Sequence, residues 1–233
     1  MPTTGNPETL AARRTRPRES VGAAFLSDRE LVALGWIGEQ SAVRTDVIRR
    51  LLGGGAPMSE RAARHRVDRW QRAGLVERRR FLAGEPAVVW LTRPGLRLVG
   101  CAYRPAAPTV GLLAHLHAIC LVRLGVEAAG GHRWVSERAL HRARVAPDAH
   151  LPDGRFHSTG GVETAVEVEL TRKAADRLRR IIDELTVDHD AVLYVVRGTG
   201  VRAAVERAVD ALDEQDRVTV VDLADFAPTP VAP

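Results

Sequence analysis

The sequence predicts an α/β protein built from two units, and three observations lead to this class. The length of 233 residues exceeds the usual size of a single domain. Charge is divided unevenly, because residues 1–107 hold 19 arginines against 10 acids, whereas residues 108–233 hold 15 basic against 19 acidic residues. The first half has mainly helical periodicity, and the second half alternates helices with strands. The apolar run AVLYVV at 191–196 is typical of a strand covered on both faces.

Composition excludes several classes of protein. No apolar run approaches the roughly 20 residues that span a bilayer, so we expect a cytoplasmic protein with no membrane partner. Cys101 and Cys120 lie 19 positions apart without a CxxC pair, which indicates buried thiols rather than a zinc site or a disulfide. No glycine-rich loop follows a buried strand, so ATP use is not expected. The basic excess of the first half indicates a polyanionic partner.

Caps and apolar spacing predict three helices and a hairpin in the first half. Residues 1–24 are expected to form a disordered basic arm, because arginines lie there among Pro, Thr and Gly. Ser27 should cap the first helix and Ser59 the third, at 60–73. Apolar positions at helical spacing support the three helices, in order Leu31, Leu34 and Ile37; Val43, Val47 and Leu51; and Ala63, Val67 and Trp70. A β-hairpin with its turn at 83–86 follows.

This order of elements resembles a winged helix-turn-helix DNA-binding domain over 25–104. The resemblance rests on RVDRWQRAGLVERRRF followed by VVWLTRPGLRLV. In that fold the third helix enters the major groove and the wing contacts the flanking backbone, which implies double-stranded DNA as the partner. The implied DNA-binding residues are Arg61, Arg64, His65, Arg69, Arg72, Arg78, Arg79 and Arg80. The alternative is a winged helix that contacts proteins, with solvated arginines.

Three carboxylates could converge in the second half. In the predicted strand ETAVEVEL, Glu167 and Glu169 share one face, and Asp148 lies in a predicted strand PDAHL. Side chains two apart on a strand are about 7 Å from each other, so the glutamates repel by very roughly 2 kcal/mol. A divalent cation would relieve this repulsion. The alternative is a solvated strand face whose acids pair with arginines.

The second half, 109–228, resembles the PD-(D/E)xK nuclease-like fold, a restriction-endonuclease-like α/β domain with a central mixed sheet. A helix, three strands, a crossover helix and another strand carry this resemblance, and a disordered tail is expected at 229–233. More narrowly, the chain resembles the replication-relaxation family of actinobacterial plasmids and integrative elements, through WVSE, APDAHL and VEVELT. That family is thought to act in plasmid replication and DNA relaxation.

The resemblance implies a catalytic and metal-binding set. Asp148 matches the metal-binding aspartate and Glu167 the acid of the third strand, while Glu137 could be an additional acid. Asp148, Glu167 and Glu169 would then hold Mg²⁺ or Mn²⁺. Glu169 stands where nucleases of this fold have a lysine, and a carboxylate cannot neutralise developing phosphorane charge. Lys173 could supply that cation, or Glu169 could bind a second metal.

Three neighbouring residues are expected to have ordinary roles. Lys173 is the single lysine of the chain, and near the start of a helix we expect it to be a surface residue. His150 could assist a metal, although a solvated histidine is the expected case. Asp153, in the sequence Pro-Asp-Gly, has the composition of a β-turn.

The sequence therefore predicts a DNA-binding protein of mobile-element replication, relaxation or transfer. Because Glu169 replaces the lysine, a non-catalytic accessory role is expected, with other replication or transfer proteins as further partners. A metal-dependent nicking or relaxing nuclease is the first alternative. A winged-helix transcriptional regulator is the second. The oligomeric state is left open.

Overall fold

A computed structural model describes residues 26–143 and 150–226, which form two β-sheets with helices packed around them. The first sheet and its helices comprise α1 (Asp28–Glu39), β1 (Ala42–Arg44), α2 (Thr45–Gly53), α3 (Glu60–Arg72), β2 (Val76–Arg79), β3 (Val88–Leu91) and α4 (Arg93–Leu98). The second part comprises α5 (Leu113–Ala128), β4 (His132–Ser136), α6 (Glu137–Ala143), β5 (Gly154–His157), β6 (Glu163–Glu169), α7 (Ala175–Asp188), β7 (Ala191–Val196), α8 (Thr199–Asp210) and β8 (Val218–Asp222). Short 3-10 helices lie at Val110–Leu112 and Leu223–Phe226.

The predicted helix caps are confirmed. Ser27 accepts a hydrogen bond from the backbone of Glu30, and the Glu30 carboxylate accepts one from the backbone of Ser27, which is a reciprocal capping box. Ser59 caps α3 by accepting from the backbone of Ala62. These caps fix where α1 and α3 start, and apolar spacing decides which face of α3 is buried.

The first sheet is antiparallel, with the strand order β1-β3-β2. The predicted hairpin is confirmed as β2 and β3, which pair from Val76 with Leu91 to Arg79 with Val88. The assignment of Val43 to the second helix was wrong, because Val43 lies in β1 and pairs with Val89. Val47 is buried in α2 as predicted, together with Ile48 and Leu52, whereas Leu51 is only partly buried.

The second sheet is mixed, with the order β4-β5-β6-β7-β8. The first three strands are antiparallel, and β6, β7 and β8 are parallel. The α/β class with a mixed sheet is therefore confirmed, and AVLYVV is the buried strand β7. Of the predicted strand PDAHL, His150 and Leu151 are described and lie outside any strand, and the second strand of this sheet begins at Gly154. Asp148 lies outside the described residues, in the gap at 144–149.

Helix α5 joins the two sheets. Cys120 and Leu121 pack in the core of the first sheet, whereas Ile119 and Val122 pack against the second. Leu112 is half-exposed, because it precedes α5 in the 3-10 helix. The segment Val110–Ala128 is long and apolar enough to span a membrane, contrary to expectation, with a mean hydropathy of 1.5. Six of its residues nevertheless pack into the two cores, namely Ala118, Ile119, Cys120, Leu121, Val122 and Val126.

A buried arginine reinforces this junction. Arg123 is 6% exposed, its Nη1 lies 2.8 Å from Glu39 Oε2, and its Nε lies 2.7 Å from Glu127 Oε1. Its guanidinium stacks over the Trp36 ring at 4.5 Å and faces the Trp134 ring at 5.8 Å. Trp36 donates its indole hydrogen bond to Glu127 Oε2 at 3.1 Å. The junction therefore combines ion pairs, stacking and apolar contacts.

Candidate functional site

Two buried glutamates lie at the carboxyl end of β6, the central strand of the second sheet. Glu167 and Glu169 are 4% and 3% exposed, so the structure contradicts the alternative of a solvated strand face. They project on the same face of β6 as Ala165, which packs with residues of α7 and α8. By register Glu167 lies beside Tyr194 and Glu169 beside Val196 of β7. Two carboxylates at such depth require compensation by cations, protons or hydrogen bonds.

Lys173 supplies part of that compensation. Strand β6 ends at Glu169, and the following loop returns so that Lys173 Nζ lies 2.5 Å from Glu169 Oε2 and 3.6 Å from Glu167 Oε1. The interpretation of Lys173 as an ordinary surface residue was wrong, since its side chain is only 21% exposed. The loop that follows β6 thus places a cation in contact with both carboxylates.

Asp153 completes the cluster at the neighbouring strand. It directly precedes β5, its Oδ2 accepts a hydrogen bond from the backbone of Val168 at 2.7 Å, and its Oδ1 lies 2.8 Å from His115 Nε2. The β-turn interpretation of Asp153 was therefore incomplete, because this carboxylate is turned toward the end of β6. Its charge is close enough to raise the pKa of Glu167.

Two histidines contact these acids from different elements. His150 Nε2 lies 3.0 Å from Glu167 Oε2, and the His150 backbone donates to Glu184 of α7, so the expectation of a solvated histidine was wrong. Burial lowers the pKa of His150, but the hydrogen bond with Glu167 and the negative charge of that carboxylate together outweigh it, and the pKa lies above its ordinary value. The hydrogen bond with Asp153 likewise raises the pKa of His115.

Burial dominates the electrostatics of the glutamate itself. It raises the pKa of Glu167 above the usual range, despite the hydrogen bond from His150. Burial, followed by the charges of Glu167 and Glu169, also raises the pKa of Tyr194. Among the described residues the Tyr194 hydroxyl has no hydrogen-bond partner. The cluster therefore favours bound protons or cations.

The residues present partly fit a divalent cation. Carboxylate oxygens are the ligands that Mg²⁺ prefers, and Asp153, Glu167 and Glu169 offer them at one edge of the sheet. Within 26–143 and 150–226, however, no group of three or more His, Cys, Asp or Glu side chains already has metal-binding geometry. Lys173 contacts both glutamates in this arrangement, so an ion held there would have to displace its ammonium.

Glu137 stays outside the acid cluster. It lies at the start of α6, where its Oε1 is 3.3 Å from His141 Nε2 and its side chain is 46% exposed. Its charge contributes to the raised pKa of His115, which places it near the cluster without contact to Glu167.

A second candidate surface lies on α3. The apolar residues Ala63, Val67 and Trp70 are buried, as predicted. Four of the predicted DNA-binding residues are exposed on this helix, namely Arg61, Arg64, His65 and Arg72. Arg64 forms an exposed ion pair with Glu60 at 2.7 Å. On the hairpin side, Arg79 and Arg80 are exposed.

Two of the predicted DNA-binding arginines have structural partners. Arg69 pairs with Glu30, which is 2% exposed and also accepts from Trp70 Nε1 at 3.1 Å. Arg78 pairs with Asp68 at 2.7 Å, which ties the hairpin to α3. Arg69 therefore has an ion pair with a buried carboxylate while its side chain is 31% exposed, and its contact with DNA stays a prediction. Arg78 is only partly available.

Arg64 and Arg80 line one concave space between α2, α3 and the hairpin. It has a volume of about 540 Å³ and also contains Asp46, Glu60 and Glu85. The concavity is therefore of mixed charge.

No family model matches the chain, and no curated protein matches it.

Proposed function

We propose that the protein binds double-stranded DNA through α3 and the β2–β3 hairpin, acting as a winged helix-turn-helix unit. The observation that carries this proposal is the polarity of α3, which buries Trp70 and exposes basic side chains on its other face. The hairpin adds Arg79 and Arg80 beside it. Lysine and arginine side chains that neutralise phosphates supply most of non-specific DNA affinity. The order of helices followed by a hairpin also agrees with this fold.

The resemblance to the replication-relaxation family suggests where such binding is used. We propose a role in replication, relaxation or transfer of a mobile element, with other proteins of that process as partners. The protein would then be a non-catalytic accessory factor whose second unit is a nuclease-like domain.

Salt dependence tests the DNA-binding surface. Replacing Arg79 and Arg80 by alanine should weaken duplex binding across sequences, because two phosphate contacts are lost. The slope of log affinity against log salt should become less steep by about 1.8, since each neutralised phosphate of duplex DNA contributes about 0.9. Fluorescence anisotropy of a labelled duplex, titrated at several salt concentrations, measures both quantities.

Arg177→Ala/Arg180→Ala is the matched control, because it removes the same charge from two exposed positions of α7. An equal loss in both double variants would mean that only net charge matters. Unchanged affinity and slope in Arg79→Ala/Arg80→Ala would contradict the assignment of the hairpin.

A second candidate function is metal-dependent cleavage of a phosphodiester bond. The position of Lys173 favours it, because the lysine missing from the third strand is replaced by one that reaches the same carboxylates. Asp153 and Glu167 would hold Mg²⁺ or Mn²⁺, with Glu169 joining them once Lys173 moves aside. Such an ion, when bound, polarises a phosphoryl oxygen and activates water. The ammonium of Lys173 can stabilise negative charge that develops on the phosphate.

Metal binding can be measured without activity. Manganese at a hundred times its dissociation constant should add about 2.7 kcal/mol to the free energy of unfolding, seen as a rise in melting temperature. Asp153→Asn should abolish that rise, while Asp188→Asn, at an exposed position of α7, should keep it. Nicking of supercoiled plasmid should then be lost in Asp153→Asn and in Lys173→Ala. A melting temperature indifferent to manganese and magnesium would reject this second function.

A further inference from the structure

A cationic cavity lies beside the acid cluster, between the first turns of α7 and the end of α8. It has a volume of about 340 Å³. Four of its lining residues are basic, namely Arg172, Lys173, Arg179 and Arg207, and the others are Ala175, Leu178, Ala204 and Ala208. No acidic side chain is among these lining residues, in contrast to the concavity next to α3.

Much of this positive charge has no internal partner. Among the ion pairs of the described residues, Arg172 and Arg207 are in none, while Arg179 pairs with Asp176, which is almost fully exposed. Like charges held around one concave space repel, and a low-dielectric wall strengthens the field inside it. An anion that enters the cavity would therefore be attracted, and its charge would lower the repulsion among these cations.

The backbone adds to this attraction. Helix α7 begins after Ala174, and no side chain caps it. The first amide groups of a helix lack intrahelical partners and carry partial positive charge. Ala175, the first residue of α7, lines the cavity. Backbone donors and four cationic side chains thus border the same space.

Lys173 links this cavity to the carboxylates. Its side chain lines the cavity, and its Nζ contacts Glu167 and Glu169 on the other side. A phosphate bound in the cavity would therefore have a neighbouring phosphate within reach of the acid cluster. The cavity is at the small end of the roughly 300–1,000 Å³ range of ligand pockets, which suits one strand and not a double helix.

We propose that this cavity binds the phosphate backbone of a single DNA strand and directs that strand toward Glu167, Glu169 and Lys173. The site adds strand binding to the proposed duplex binding and shares with it the assumption that DNA is the ligand. Arg172 and Arg207 hold the phosphates, because they are the cations of the cavity without internal ion pairs. Lys173 lies at the junction with the acid cluster.

The experiment compares full-length double variants with a labelled single-stranded oligonucleotide. Arg172→Ala/Arg207→Ala should lower strand affinity roughly tenfold. The slope of log affinity against log salt should become less steep by about 1.4, since each phosphate of a single strand contributes about 0.7. Duplex affinity should change much less. Arg177→Ala/Arg180→Ala removes the same charge outside the cavity and should keep strand affinity within about twofold of wild type.

Four outcomes decide the proposal. Equal strand affinity in wild type and Arg172→Ala/Arg207→Ala would overturn it, as would an equal loss in the control variant. Inorganic phosphate that competes with the strand should weaken strand binding by wild type more than strand binding by the cavity variant. An equal loss of strand affinity in both would also count against the proposal. If wild type binds the single strand through the cavity but does not bind duplex, the proposed duplex surface fails and the strand site is supported.

Discussion

Replacing Glu30 by glutamine should lower the free energy of unfolding by about 3–5 kcal/mol, the usual cost of breaking a buried ion pair. Glu30 is 2% exposed and accepts hydrogen bonds from the Ser27 backbone at 3.0 Å and from Trp70 Nε1 at 3.1 Å, in addition to its pair with Arg69. A neutral amide cannot satisfy all of these donors. Thermal and urea unfolding measure the loss, which should amount to roughly 10 °C in melting temperature.

Glu60→Gln is the matched control, because the Glu60–Arg64 pair links the same residue types at an exposed position. Exposed pairs contribute about 0–1 kcal/mol, so this variant should unfold almost like wild type. Similar losses in the two variants would contradict the structural role of Glu30.

The same residue predicts an acid dependence. Burial would raise the pKa of Glu30, but hydrogen bonds from the Ser27 backbone and from Arg69 outweigh it, and the pKa lies below its ordinary value. A glutamate in the unfolded chain has a pKa of about 4.3. The contribution of Glu30 to the free energy of unfolding is therefore complete above that pH, and it is lost as the pH falls through the lower pKa of the folded state. The stability difference between wild type and Glu30→Gln should be constant above about pH 6 and shrink below about pH 4.

Arg123→Ala should lower the free energy of unfolding by about 3 kcal/mol and loosen both sheets together. Removal of one partner from a buried ion pair costs about 3–5 kcal/mol, and we take the low end because Glu39 and Glu127 are each about a third exposed. The stacking on Trp36 is lost as well. Urea unfolding followed by tryptophan fluorescence measures the change.

Hydrogen exchange tests whether Arg123 stabilises both sheets or only one of them. Amides of β3 and of β7 should both exchange faster in Arg123→Ala, because α5 packs against both sheets. Arg180→Ala, which removes an exposed arginine from α7, should leave both strands protected. Faster exchange confined to one sheet would mean that Arg123 supports only that sheet.

Local chemistry made part of the fold predictable. The caps at Ser27 and Ser59 and the hairpin after Val76 depend on neighbours in sequence, and these predictions are confirmed. Strand β1 was missed because its three residues are held by pairing with β3, more than 40 positions away in sequence. The second strand was misplaced for a similar reason. Its position depends on pairing with β6, in which Gly154 lies opposite Val166.

Only part of the candidate site was predicted, again because sequence patterns report local structure and not long-range strand pairing. Glu167 and Glu169 were identified from alternation within one strand, which is a local signal. Asp153 was missed because its Pro-Asp-Gly setting is that of a turn, and only the register of β5 turns its carboxylate toward the end of β6. Lys173 was assigned to the surface because a loop's path cannot be derived from residue spacing. The position of Asp153 immediately before GRFH was the available signal.

Helix α5 has a geometric consequence for any action on DNA. Because α5 is packed into the cores of both sheets, α3 and the end of β6 are held at one separation and one rotation relative to each other. If a duplex binds to α3, the nucleotides that reach the acid cluster would always lie the same number of base pairs from the α3 contact. The chain would act as a molecular ruler, whose reading is set by the packing of the two sheets across one helix and not by the sequence of the DNA.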